Sequence, residues 1–167
     1  MSQNTLRYLK TNSGKKGEGM PVLRNPQYYF KEGFCWSLIN GTRSKNDLKF
    51  RLSAVGVYDV GGMSLHSVVD SVTHKFIVCI GNSDLISRYT ESFLNFTVNF
   101  QINDARQIPI IIPTKHQLKE FEILFNFAYM VKQAEFSNQQ PIDTIKKQLT
   151  ITQQKIDDLV KILYNLV

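Results

Sequence analysis

Phe96-Thr97-Val98-Asn99-Phe100-Gln101-Ile102 is followed, a few residues on, by Pro113-Thr114-Lys115-His116-Gln117-Leu118, and between these two stretches the period of the chain changes. The first alternates strictly. Phe96, Val98, Phe100 and Ile102 fall on one side and Thr97, Asn99 and Gln101 on the other, the pattern of a strand with one face on a core. The second opens with a capping box, Thr114 to Gln117, in which each partner satisfies an orphan backbone group at a helix start. The spacing then predicts a helix to about Phe136, with Leu118, Phe121, Leu124, Phe125, Ala128 and Val131 on one face. After Ser137-Asn138-Gln139-Gln140-Pro141 a second helix is predicted. Its inward positions are Ile142, Ile145, Leu149, Thr152, Ile156, Leu159, Leu163 and Leu166, spaced alternately by three and four as in a heptad seam. Two such helices joined by a short polar link are expected to form an antiparallel hairpin.

Upstream, the residues favour strands. Tyr28-Tyr29-Phe30 and Phe34-Cys35-Trp36-Ser37-Leu38-Ile39 are aromatic and β-branched runs bounded by Gly33 and by Asn40-Gly41. Residues 49–55 alternate charged or polar with apolar, and Val57-Tyr58-Asp59-Val60 runs into Gly61-Gly62. Lys75-Phe76-Ile77-Val78-Cys79-Ile80 reads as a buried strand. Gly81-Asn82-Ser83-Asp84 then opens a helix that Asn82 or Ser83 can cap, with Leu85, Ile86, Tyr89 and Phe93 as its apolar stripe. The fold class expected is α+β: a mixed or antiparallel, β-rich body followed by a C-terminal antiparallel two-helix hairpin. Three parts are expected: a flexible basic N-terminal segment over 1–26, rich in Gly and Pro from residue 11 on, a body over 27–112, and the hairpin over 113–167.

Composition narrows the function. The chain has 167 residues, 43% hydrophobic and 20% charged, as in one ordinary globular domain. It has no apolar run long enough to span a bilayer, and Met1–Lys10 lacks the apolar stretch of a secretory signal. Cys35 and Cys79 are too few for a zinc ribbon and read as reduced, partly buried thiols of a cytoplasmic protein. Of the net charge of +6, residues 1–51 hold +7 (ten Lys/Arg against Glu18, Glu32 and Asp47) and the remainder −1. Positive charge collected in one third of a chain is what a polyanionic partner requires.

Catalytic motifs are absent or out of context. Asn25-Pro26-Gln27-Tyr28 approximates the motif with which amino-methyltransferases hold a flipped base, but too few residues precede it to build a methyl-donor site. It is read as a turn entering a strand. His66, Asp70 and His74 are spaced by four, as helical metal ligands are, yet the serine- and valine-rich segment between them forms helix poorly. Asp157-Asp158 is read as a solvated pair outside the last helix. Catalytic, cofactor-binding and metal-binding residues are therefore expected to be none. What remains is Asn40-Gly41-Thr42-Arg43-Ser44-Lys45-Asn46-Asp47, a loop between strands whose amides, hydroxyls and cations are the groups that bond base edges and phosphates.

Four ordered motifs then resemble one family. Tyr28-Tyr29-Phe30-Lys31-Glu32-Gly33-Phe34-Cys35-Trp36-Ser37 is similar to the signature that enters the TaqI-like specificity domain of large bacterial adenine-specific DNA methyltransferases. These include fused restriction-modification enzymes and the methyltransferases of BREX phage-defence systems. Tyr58-Asp59-Val60-Gly61-Gly62-Met63-Ser64, Leu94–Asp104 with Ile108-Pro109-Ile110, and Leu159–Leu166 resemble that family's later elements in the same order. The resemblance runs from about residue 24 to the end. The chain departs from the pattern at Phe96, where proline is usual, and at Asn103, which replaces a glycine.

The resemblance implies that residues 27–112 form a target recognition body. It implies a module that selects a site on double-stranded DNA without catalysing anything itself, beside a methyltransferase catalytic domain or subunit that uses S-adenosylmethionine. The alternative is a protein-interaction module docking a separate catalytic subunit through the hairpin. Lys15, Lys16, Arg24, Lys31 and Lys49 are expected on phosphates, and Asn40, Thr42, Arg43, Ser44 and Lys45 nearest the bases. Trp36, as a strand aromatic, is expected in the core, with Arg51, His66 and Lys75 as weaker contacts. The compartment expected is the cytoplasm, with no membrane partner.

Overall fold

The structure, a computed structural model, describes residues 3–12, 26–36, 50–53, 55–56, 64–94 and 100–166. It divides into two compact units, Met1–Lys31 with Val55–Val57, and Glu32–Ala54 with Tyr58–Val167. In the first, α1 spans Gln3–Asn12 and a 3-10 turn spans Pro26–Tyr28. Within the segment read as 1–26, leucine, arginine and lysine in α1 favour the helix. The strand predicted over Tyr28–Phe30 is also replaced. Phe30 takes a left-handed φ of 60°, which no strand permits, and its N–H donates to the Gly56 carbonyl at 2.9 Å.

The second unit is α+β. β1 (Gly33–Cys35) lies between β2 (Arg51–Ser53) and β3 (Ser64–Leu65), antiparallel to both. The β1–β2 register pairs Gly33 with Ser53, Phe34 with Leu52 and Cys35 with Arg51. On the β3 side Gly33 permits a close approach, since a Cβ would stand 2.7 Å from the Leu65 carbonyl oxygen. Helices dominate the rest: α2 (His74–Gly81), α3 (Asp84–Tyr89), α4 (Ile102–Ala105), α5 (Lys115–Phe136) and α6 (Ile142–Leu163). The body is therefore richer in helix, among the described residues, than its β-branched composition implied.

The largest correction falls on Lys75–Ile80, predicted as a strand and found in α2. A continuous apolar run fits a buried strand and a buried helix equally well. The neighbours decide it. Thr73 caps the helix by accepting from the Phe76 N–H at 3.4 Å. The spacing then separates two faces. Phe76, Cys79 and Ile80 enter a cluster with Val72, Ile86, Phe121, Ile156, Val160 and Leu163, and Val78 enters a second with Phe34, Trp36, Phe50 and Phe100. A helix apolar all round is one with a core on each side, and α2 divides the sheet's core from that of α5 and α6.

Ser83 caps α3 as predicted, accepting from the Ile86 N–H at 3.3 Å. The apolar stripe does not run on to Phe93. Thr90–Leu94 is a π-helical segment, whose wider turn rotates Phe93 outward until it is 77% exposed. Ile102, predicted as the end of a strand, begins α4, where Gln101 and Asp104 form a capping box. Phe100 and Gln101 before it are not in a strand, and residues 96–99 lie outside the described residues, as do Ser37–Ile39 and Val57–Val60.

α5 begins at the predicted Thr114–Gln117 box and ends at the predicted Phe136. Phe121 and Val131 are buried on the predicted face. Along α6, Ile145, Thr152, Ile156 and Leu163 are buried as spaced, while Ile142 and Leu166 at the two ends are exposed and Val160 is buried instead. α5 and α6 pack on each other, and the first core cluster joins Phe121 of α5 to Ile156, Val160 and Leu163 of α6. The Tyr164 hydroxyl just past α6 donates to the Pro109 carbonyl, fastening the stretch before α5. No helix among the described residues is long and apolar enough to cross a membrane.

Candidate nucleic-acid interface

The segment from residue 37 to residue 49 joins Trp36 to Phe50 and carries Asn40, Thr42, Arg43, Ser44, Lys45 and Lys49. Those six residues, with Lys15, Lys16 and Arg24, lie outside the described residues. What the structure describes is the base from which the segment departs. Trp36 and Phe50 follow β1 and precede β2, so both ends rest on one antiparallel pair. Both side chains are buried, at 0% and 3% exposure. Their rings meet edge to face at 5.5 Å, and Phe100 closes on both, at 5.8 Å from Trp36 and 6.3 Å from Phe50.

Polar bonds fix each end. The Trp36 indole N–H donates to the Phe100 carbonyl at 2.9 Å, which satisfies the one polar atom of a buried ring. Its burial places Trp36 in the core, as expected, and removes it from stacking on bases. At the other end, Asn82 grips the Phe50 backbone at two points. Its Oδ1 accepts from the Phe50 N–H at 2.8 Å and its Nδ2 donates to the Phe50 carbonyl at 2.8 Å. This amide imitates a neighbouring strand. Gly81 lies beneath: a Cβ there would stand 1.9 Å from the Phe50 ring.

The Asn82 corner is held in turn from α6. Gln153 donates to the Asn82 carbonyl at 3.2 Å and to Asp157 at 3.1 Å. Asp157 accepts from the Asp84 N–H at 3.0 Å. Asp157 is thus half-buried and structural, a correction to its reading as solvated, whereas Asp158 is exposed as read and pairs with Lys161 at 3.6 Å. Sequence reasoning assigned Gly81 and Asn82 to a helix opening and missed their grip on Phe50. The Gly-Asn pair was the available signal.

The remaining predicted contacts separate. Lys31 is exposed in the first unit, its ammonium 5.7 Å from the centre of the Tyr28 ring. Arg51 is exposed on β2. Lys75 is engaged within the fold, donating to Asn126 at 2.8 Å and lying over the Phe125 ring at 5.8 Å. The Nδ1 of His66 lies 2.8 Å from the Glu32 carbonyl. His66 and Asp70 are not on a helix with His74, and no group of three metal-binding side chains occurs among the described residues.

No protein-family model and no curated protein matches this sequence.

Proposed function

We propose that this chain is the sequence-reading module of a restriction-modification or BREX-type N6-adenine DNA methyltransferase, non-catalytic in isolation, with residues 37–49 as its reading segment. One observation carries the reading: both ends of that segment spring from buried, hydrogen-bonded aromatics that flank a pair of antiparallel strands. Recognition groups are most useful on a segment held by a rigid base. Arg43 and Asn40 are the residue types that bond guanine and adenine at two points. Lys15, Lys16, Arg24, Lys31 and Lys49 supply sequence-independent attraction to phosphates. In this proposal the body is completed as a β-rich scaffold, α5 and α6 form the antiparallel hairpin, and the protein is cytoplasmic. S-adenosylmethionine belongs to the catalytic partner, not to this chain.

The test is a mobility-shift titration of short duplex DNA at low salt. The chain is expected to retard the duplex. Arg43→Glu with Lys45→Glu is expected to weaken binding at least ~10-fold, as reversal of contact charges does. Retention of full affinity by the doubly reversed chain would remove residues 37–49 from the interface.

A second reading is favoured by α5, whose Ile123, Phe127 and Met130 are 56%, 38% and 57% exposed at helical spacing. In it the helices dock a catalytic subunit and the basic charge is incidental. Charge reversal at Arg43 and Lys45 that leaves DNA modification by the assembled system unchanged, with Phe127→Asp abolishing it, selects this reading over the first.

A further inference from the structure

Glu32, His66, Ser67 and His74 meet where β1 begins and β3 ends. The Ser67 N–H donates to the His74 Nε2 at 3.0 Å, so Nε2 carries no proton. The one proton of the neutral ring is therefore on Nδ1, which faces the Glu32 carboxylate at 3.4 Å. His66 differs. Its Nδ1 is 2.8 Å from the Glu32 backbone carbonyl, which only accepts, so Nδ1 carries the proton there too. The two rings meet edge to face at 6.2 Å.

The two histidines respond to acid differently. A second proton leaves the Nδ1–H of His66 bonded to its carbonyl. On His74 it converts Nε2 from acceptor to donor, facing the Ser67 N–H, and that bond cannot survive. Beyond Ser67 the chain forms a local turn: the Ser67 hydroxyl bonds Val69, and the Val72 N–H donates to the Val69 carbonyl at 2.9 Å. Val68 is 87% exposed at its tip, and Val72 is buried where it rejoins α2.

We propose that Glu32, His74 and Ser67 form a proton-operated latch, in which neutral His74 holds the turn Ser67–Ser71 against α2 and protonation frees it. Among the described residues, the charged and titratable groups facing His74 from the packed elements are Glu32 from before β1 and His66 from after β3. On its own helix Lys75 turns to Asn126 of α5. The preceding Thr73 donates to Glu122 of α5 at 3.0 Å. Phe34 of β1 lies 6.4 Å from the ring, and Asp70 is exposed on the turn. The latch is a property of the fold, independent of DNA reading.

The experiment is nuclear magnetic resonance on the ¹⁵N-labelled full chain between pH 7.5 and 5, the range in which imidazoles take up a proton. At pH 7.5 His74 is expected as the Nδ1–H tautomer. As His74 titrates, the exchange protection of the Ser67 amide, corrected for its intrinsic rate, is expected to fall at least ~10-fold, the equivalent of one lost hydrogen bond, with Ile77 and Ile80 unchanged. His74→Gln, whose amide oxygen accepts at every pH, is expected to leave Ser67 protection independent of pH. An Nε2–H tautomer at pH 7.5, or Ser67 protection unchanged while His74 titrates, overturns the latch. Both are read on the unsubstituted chain, so a variant that fails to fold leaves the proposal decided.

Discussion

At Phe50 the adjacent Gly81 and Asn82, arriving from the end of α2, meet one ring and its backbone, and each makes a prediction. A glycine inside a helix ordinarily costs about 1 kcal/mol relative to alanine, so Gly→Ala usually stabilises. At Gly81 the sign reverses, because the new methyl would stand 1.9 Å from the Phe50 ring. Gly81→Ala is expected to destabilise by roughly 1–3 kcal/mol, the cost of overpacking, seen as an earlier chemical-unfolding midpoint. Asn82→Ala strands the Phe50 N–H and carbonyl and is expected to cost about 1–3 kcal/mol in the same assay. Cys79 gives a prediction in pH. Burial pushes its thiol up to about 12 from 9.0. The unfolded chain therefore releases this proton first, and stability present below pH 9 is lost as pH rises from 9 toward 12. The loss is on the order of 4 kcal/mol, and burial also raises Tyr164, which adds to it. Equilibrium unfolding at pH 8.5 and 10.5 measures the slope, which is expected to be shallower in Cys79→Ala. A stability unchanged between those two pH values contradicts the assignment. None of these contacts is visible in sequence, because a glycine, an amide and a thiol carry no sign of which distant ring or carbonyl they will meet.

Among the elements, those with their own start signals were legible. α5 begins where Thr114 and Gln117 said it would, and α6 keeps the three-and-four spacing through Ile145, Thr152, Ile156 and Leu163. α2 was not legible, because its two faces serve two cores and its run shows no polar side from which to read a period. The π-helical turn at Thr90–Leu94 was hidden too, since no residue type marks it, and it reverses the fate of Phe93. The candidate site was legible only as a polar, cationic stretch; the anchoring of its ends depends on Asn82 and Phe100, which arrive from elsewhere in the chain. Asp157 supplies the test at this scale. Asp157→Ala removes the acceptor for the first amide of α3 and is expected to destabilise by about 1–2 kcal/mol, as loss of a cap does. Asp158→Ala, one residue on but exposed, is expected to stay within about 0.5 kcal/mol. Thermal unfolding of the pair separates them; equal losses contradict the α3–α6 tie.

For the whole molecule, the governing fact is the asymmetry of charge: +7 in residues 1–51 and −1 in the rest. A duplex that engages Lys15, Lys16, Arg24, Lys31 and Lys49 releases counterions in proportion to the phosphates neutralised. A module that docks protein through α5 has no such dependence, because burial of Ile123, Phe127 and Met130 is nearly indifferent to dilute salt. The two readings therefore separate on one axis. The decisive measurement is the dissociation constant of the chain for a short DNA duplex across 50 to 200 mM salt. Five phosphate contacts predict a log–log slope of about −4.5, a loss of roughly 500-fold over that range. A slope near zero, or no binding at 50 mM, contradicts the account.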